Sequence, residues 1–562
     1  MSLDYGARTV STSDMPGCML TFFLRVWLHL HRTLLDSSFL LAFLAMRSRI
    51  ILAFFAGLLC AASLWMPIPA LGSANNDAAC AALNFSSSLT PVSKASVPPN
   101  VCASVWAANV PEARGLLSLP GDGGLLAVQR PANGGSTGSV VWLNDTDQSG
   151  SIDQSAERAT IATAAGINHG LALWRPDSCG GASGGPTCAF LLASSINAVY
   201  LWPFDLSSPS DTLGAPTTLV SGLPSGGHNT RTLEVDPAGA WLYVSVGSYG
   251  NIDTSTSRSL IWRFNLTDWA EGSTFAYGSD GELFAGGLRN EVALAWDSHG
   301  VLWGAENGAD NLNRADLGGD VHNNNPGEEI NKFSRPAGAF FGYPYCFSEY
   351  NLPAPHGEGK GTQWAWPQFM NDGTHSDAWC RDTSNVVPPA AVMPAHTAPL
   401  GMKFVTLSSD SANPFAFPPQ ADGAAEQTYL VVAQHGSWNR NPAQGYRVVR
   451  FSTRDDGASG GVSVTSQEEE PIFQFDDKVA QTGSGWGRPV DVAVGSRGEL
   501  FVSDDELGRI VVLRYARDAN QTAEPDSSST GGVGAATSAF AAGSSWMMSL
   551  LAAGALFANL KQ

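Results

Sequence analysis

The sequence predicts an all-β chain folded as a six-bladed β-propeller. The first observation behind this is a repeated unit: a polar turn ending in glycine, a short apolar strand, a polar run and a second strand. Its clearest copies are Asp236-Pro-Ala-Gly-Ala-Trp-Leu-Tyr-Val, Asp297-Ser-His-Gly-Val-Leu-Trp-Gly and Gly495-Ser-Arg-Gly-Glu-Leu-Phe-Val, with a degraded copy at Pro120-Gly-Asp-Gly-Gly-Leu-Leu-Ala-Val. The second is composition: of 562 residues, 60 are glycine and 33 proline, which suits a turn-rich chain, and few segments have helical periodicity. The third is core-forming capacity, since 44% of residues are hydrophobic and 17 Trp and 26 Phe are among them. A β-sandwich would leave the recurring unit unexplained.

The unit divides the body, residues 75–516, into six blades near 111–143, 165–206, 227–266, 287–335, 398–452 and 487–515. Each carries short β-branched and aromatic outer strands, such as Ala198-Val-Tyr-Leu-Trp-Pro-Phe, Ser259-Leu-Ile-Trp-Arg-Phe, Tyr446-Arg-Val-Val-Arg-Phe and Ile510-Val-Val-Leu-Arg-Tyr. Blade four is followed by a long insertion, roughly 336–397, rich in Gly, Pro and aromatics and holding Cys346 and Cys380.

The ends read as targeting segments. Met46-Arg-Ser-Arg49 precedes an apolar run, Ile50 to Trp65, and a small-residue exit through Gly72 to Ala74. This is the pattern of a secretory signal peptide within a leader of residues 1–74, with translation starting at Met46 as the expected alternative to Met1. The run is shorter than the ~20 residues a membrane span uses. Residues 517–545 are Gly/Ser/Ala-rich and linker-like, and 546–562 form a short apolar tail, so the C-terminus resembles a GPI-attachment signal. The expected location is the outer face of the plasma membrane, held by a lipid anchor alone. Sequons at Asn84, Asn144, Asn265 and Asn520 suit such a glycoprotein. An exported chain is expected to form disulfides among Cys80, Cys102, Cys179, Cys188, Cys346 and Cys380. Pairing of neighbours (80–102, 179–188, 346–380) is the simplest of fifteen arrangements. With 51 acidic against 31 basic residues the net charge is −20, which excludes non-specific nucleic-acid binding.

A propeller gathers loops from every blade at one end of its axis, so functional residues should come one or two per blade. Polar clusters stand before the repeated units at Gly227-His-Asn-Thr-Arg-Thr-Leu233, Gly287-Leu-Arg-Asn-Glu291 and Gly485-Trp-Gly-Arg-Pro489. Others stand after them at Ala305-Glu-Asn-Gly-Ala-Asp310 and Gln434-His-Gly-Ser-Trp-Asn-Arg440. A turn explains any one alone. Arginine in four of the five, in a chain with only six lysines, points to a shared anion site, because the guanidinium fork suits carboxylates.

Together with Phe340-Phe-Gly-Tyr-Pro-Tyr-Cys346, these clusters resemble the family of PQQ-dependent sugar dehydrogenases, with the sorbosone and pyranose branch the closer match. The resemblance runs in order from about 110 to 516. It implies that His228 is the base taking the proton of a sugar C1 hydroxyl, and that Arg289 and Asn290 lie against the quinone oxygens of PQQ. It implies that Gly308 and Ala309 give backbone carbonyls to a calcium ion, with Asn307 beside the cofactor. Arg488, and either His435 or Arg440, would hold PQQ carboxylates. Trp438 and Trp486 stand where either could cover the ring, with core packing the other reading. An external electron acceptor is implied, since no Cys-x-x-Cys-His haem motif is present.

Two further segments stand outside the resemblance. Asn144-Asp-Thr-Asp-Gln-Ser-Gly-Ser-Ile-Asp153 spaces carboxylates and a glycine like a calcium loop, but the twelfth position counted from Asp145 is Ala156, so a solvated hairpin turn is expected. The run Glu468-Glu-Glu470 reads as a solvated loop. Two other functions remain to be weighed: a non-catalytic ligand-binding propeller at the cell surface, which would have no need of the base and the arginines, and a calcium-dependent lactonase, whose axial carboxylate set is not evident.

Overall fold

The computed structural model describes residues 77–516 apart from 87, 132–134, 177–187, 409–425, 458–460 and 476–486. The leader, linker and tail, Trp486 and the sequon at Asn520 lie outside the described residues. The body is nearly all β, and six sheets of four or more strands, antiparallel but for a short parallel edge pair in blades two and three, are the six blades. Their innermost strands are Ala113–Ser118, Ile167–Trp174, Leu233–Val235, Glu291–Trp296, Pro399–Ser408 and Pro489–Val494, and each packs beside the next until the sixth meets the first. The ring closes within blade six, where Val101–Ala107 pairs with Arg509–Tyr515 and so supplies a fourth strand from the N-terminal side.

The repeated turn has a definite construction. Asp236 Oδ1 accepts the backbone N–H groups of Ala240 (2.7 Å) and Trp241 (2.8 Å), and Asp297 Oδ1 does the same for His299 and Val301 (both 2.9 Å). The glycine three residues on sits at φ +71° in one and +72° in the other, a backbone region that glycine enters without strain. Asp297 Oδ2 also accepts from the buried Trp303 indole at 2.9 Å. An aspartate and a glycine at fixed spacing therefore reverse the chain between the inner strand and the next.

Each of the six gaps between blades holds its own apolar cluster. Leu191 packs back toward blade one beside Leu126 and Trp142, while its neighbour Leu192 packs forward toward blade three beside Leu242 and Val244. Leu430 and Val432 face blade four, and Val431 and Ala433 face blade six. Successive side chains point to opposite faces, and both faces are covered, so the strands read as continuous apolar runs.

Four sequence expectations need correction or completion. The insertion does not follow blade four; it lies inside it, between the third strand, Glu328–Lys332, and the fourth, Ala391–Met393. Two expected disulfides are formed, Cys80–Cys102 and Cys346–Cys380, and Cys188 is disulfide-bonded while Cys179 lies outside the described residues. Glu468-Glu-Glu470 is only partly solvated: Glu469 is half-buried against Arg447 and Gln434, and Glu470 opens a strand and pairs with Arg450 at 2.9 Å. Trp438 neither packs in the core nor is covered; it is 77% exposed.

Candidate active site

The loops that lead into the inner strands and those that leave the second strands meet at one end of the propeller. The expected residues of blades three to six all stand there. His228 precedes the inner strand of blade three, and Arg289 and Asn290 precede that of blade four. Asn307 to Asp310 follow the second strand of blade four, His435 to Arg440 follow that of blade five, and Arg488 precedes the inner strand of blade six. His228, Asn229 and Asn290 line a cavity of about 290 Å³ together with Asn168, Arg114 and Arg130. Asn168 Oδ1, Asn229 Oδ1 and Arg114 Nε are buried and have no hydrogen-bond partner among the described residues. Buried polar atoms are rarely left so, which marks a site built for a ligand.

The His228 ring is held by Ser248. The Ser248 hydroxyl donates its proton to Gly250 O at 2.7 Å, so its oxygen accepts from His228 Nδ1 at 2.9 Å. Nδ1 therefore carries the hydrogen, and Nε2 keeps its lone pair. Burial, and after it the Arg289 charge, push the imidazole pKa down to about 4, so the ring is neutral at ordinary pH. Gly247 lets the ring and Asn290 approach: a Cβ there would lie 2.4 Å from Asn290 Oδ1 and 2.7 Å from His228 Cβ.

Arg289 is buried beneath this pair. Its guanidinium donates to Asn251 O (3.2 Å), Asn251 Oδ1 (3.2 Å), Asn307 O (3.1 Å) and Asp310 Oδ2 (3.0 Å). Tyr343, at the start of the insertion, donates to Asn251 O at 3.0 Å and so supports that arrangement. Asn307 donates to Asn290 O (3.2 Å) and Pro399 O (2.9 Å), which ties blade four to blade five. Asp310 also faces His396 Nδ1 at 3.4 Å. Burial opposes the charged form of His396, but the Asp310 hydrogen bond and the Glu328 field outweigh it and hold the pKa above the usual imidazole value. Gly308 donates its N–H to buried Glu328 at 2.5 Å. The carbonyls of Gly308 and Ala309 accept no hydrogen bond among the described residues.

Blades five, six and one meet in a second network. Arg488 can only donate, so the 3.2 Å contact from its Nη1 makes His435 Nδ1 the acceptor. His435 Nε2 then carries the proton and donates to Asp505 Oδ1 at 2.9 Å. Arg114 donates to the other Asp505 oxygen at 2.8 Å, and Arg130 stands 3.9 Å from it. Burial opposes ionisation of Asp505, but His435 and Arg114 hold its carboxyl below the usual range. Of the two blade-five candidates, the structure places His435 with Arg488. It places Arg440 elsewhere, donating to Asn323 O (2.8 Å) and Asn324 Oδ1 (3.0 Å).

Sequence reasoning missed Arg114, Arg130, Asp505, Ser248 and Asn251. Asp505 had a readable signal, because it follows the second strand of blade six as Asn307 follows that of blade four. Arg114 likewise stands at the head of an inner strand, close to where Arg488 stands in blade six.

A family model described as TrAA12-like matches residues 95–516. A pyrroloquinoline quinone-dependent pyranose dehydrogenase of Coprinopsis cinerea is 30% identical over 428 residues, 71% of this chain and 52% of that protein. The chain thus spans about half the length of that curated relative. A pyrroloquinoline quinone-dependent sugar dehydrogenase of Hypocrea jecorina is 27% identical over 396 residues, 67% of this chain and 81% of the other. Among solved structures, the holo form of the Coprinopsis pyranose dehydrogenase PQQ domain covers 76% of this chain and 98% of itself, with TM-score 0.61 and 27% identity. The calcium structure of the Trichoderma reesei AA12 enzyme covers 77% of this chain and all of itself, with TM-score 0.62 and 25% identity. With this match over residues 95–516, the chain belongs to the TrAA12-like family.

Proposed function

We propose that this chain is a PQQ- and calcium-dependent oxidoreductase that oxidises the C1 hydroxyl of a sugar, with His228 as the base. The observation that carries the reading is the unprotonated Nε2 of His228 at a cavity shared with Asn290 and two arginines. The names of the Coprinopsis and Hypocrea relatives support it.

The residues present fit the cofactor. A flat quinone tricarboxylate needs cationic and N–H donors around a slot, and Arg114, Arg130 and the His435–Arg488 pair supply them. A calcium ion needs oxygen ligands, and the unpaired carbonyls of Gly308 and Ala309 supply two. Gly247 keeps the space beside Asn290 clear. Bound here, PQQ would supply the two-electron acceptor for the C1 hydrogen.

The chain's own residues do the rest. His228 accepts the hydroxyl proton at Nε2, and Ser248 fixes the tautomer that makes this possible. Asn307 anchors the Asn290 carbonyl, and Gly247 leaves room for the Asn290 amide beside His228. Burial, and after it the positive charge of Arg289 beside the site, keep His228 neutral.

The sorbosone-type choice of an aldehyde substrate, the external acceptor, export and the GPI anchor are part of the same proposal and rest on sequence pattern. The alternative, a ligand-binding propeller without catalysis, would keep the cavity and lose the chemistry. Titration of the metal-free full chain with PQQ, with and without calcium, separates them by the absorbance of the bound quinone. Calcium-dependent saturation is expected; no binding would leave the non-catalytic reading.

A further inference from the structure

At the opposite end of blade one, Asn144 to Glu157 join the third strand, Thr137–Leu143, to the fourth, Arg158–Ala165. Its residues run Asp145-x-Asp147-x-Ser149-Gly150, and the expected acidic twelfth position is Ala156. The structure supplies the missing carboxylate from the thirteenth, Glu157. Oxygens of Asp145, Asp147 and Glu157 lie within 4.8 Å of one another. The Glu157 carboxylate is fully buried and accepts N–H groups from Thr146 (2.8 Å), Asp147 (3.3 Å), Asp153 (3.2 Å) and Gln154 (3.3 Å). These bonds draw the two flanks of the loop together and bring a third negative charge beside two others.

The compensation present is incomplete. Asp145 is 8% exposed, and its Oδ1 has no hydrogen-bond partner among the described residues. Its Oδ2 accepts from Gly150 N at 3.0 Å and stands 3.6 Å from the Arg497 guanidinium. Glu157 forms no ion pair among the described residues. Asp147 accepts from Ser149 N at 3.0 Å and from the Gln154 side chain, but three carboxylates this close, with a bare buried oxygen among them, form a negative pocket that a cation would balance. The donors are all oxygen, and they sit on a loop of spaced side chains that can offer further oxygens, which favours calcium over the small, rigidly octahedral magnesium.

We propose that this loop is a structural calcium site, with Asp145, Asp147 and Glu157 as its carboxylate ligands. It is independent of the cofactor reading. Its place in the fold gives it a task. Arg497 of blade six reaches Asp145, and Arg514 of the same blade donates to Gly150 O at 3.0 Å, so the loop ties blade one to blade six. Calcium there clamps blade one to blade six.

The test titrates the metal-free full chain with calcium chloride alone, beside Asp147→Asn, whose side chain is at the exposed rim. Calorimetry is expected to show one calcium fewer bound by the variant. The thermal midpoint of the wild type is expected to rise with calcium and not with magnesium, and that of the variant to respond less. Hydrogen exchange in the wild type supplies a readout that needs no variant: amides 144–157 are expected to slow when calcium is added. Equal calcium binding by both chains, or unchanged exchange across the loop, would overturn the proposal.

Discussion

The catalytic reading turns on where one proton sits. Ser248 commits its hydroxyl to Gly250, so His228 must donate from Nδ1, and its basic nitrogen faces the cavity. Replacing His228 with Ala should therefore abolish sugar oxidation, by about 10²- to 10⁴-fold, while PQQ still binds. The pH dependence has a definite sign. A base held at about 4 by burial and Arg289 stays unprotonated well into the acid range, so kcat/KM should hold level below neutrality and fall only as pH drops through about 4. Half-loss near ~6.5, the ordinary imidazole value, would show that the ring is not held as described. Gly247→Ala tests the approach of His228 to Asn290. With a methyl 2.4 Å from the amide oxygen, one of the two must move, and a loss on the order of 10²-fold in kcat with an unchanged melting temperature is expected. At this scale the sequence was most legible where a blade presents a cluster: His228, Arg289, Asn290, His435 and Arg488 all stand at one end. Arg130 was not legible, and Arg114 and Asp505 carried only the signal of their blade position; all three stand apart from the clusters and come together only when blades one, five and six meet.

Elements were legible in proportion to how local their signals are. The aspartate and glycine of the repeated turn act within one hairpin, so the turns and strands around them could be read directly. The fourth strand of blade four, Ala391–Met393, is three residues long and returns after the insertion, so no local pattern announced it and the insertion was expected after the blade. That insertion supports the site. Its Tyr343 fixes Asn251, which in turn positions Arg289 and Asp310. The Cys346–Cys380 bridge closes a loop of sequence separation 34 within it. Replacing both cysteines with Ala should cost about 3 kcal/mol, read as a lower denaturation midpoint, with faster proteolysis confined to the insertion. Retention of the full midpoint would show that apolar packing alone holds it.

The propeller body depends on closure, since six apolar interfaces form a ring and each needs both neighbours. The pairing of Val101–Ala107 with Arg509–Tyr515 joins positions some four hundred residues apart, beyond any sequence periodicity. Deleting residues 77–107 should leave the last blade a strand short and expose Val511 and Leu513, so loss of cooperative unfolding and of near-ultraviolet dichroism is expected. The most direct test of the functional account joins all scales in one assay. The purified full chain, stripped of cofactor, would be given PQQ and calcium, and dye reduction followed with a panel of pyranoses and 2-keto-aldoses, beside His228→Ala. The account predicts turnover that needs both PQQ and calcium and disappears in the variant. Turnover unaffected by the His228 substitution would contradict it.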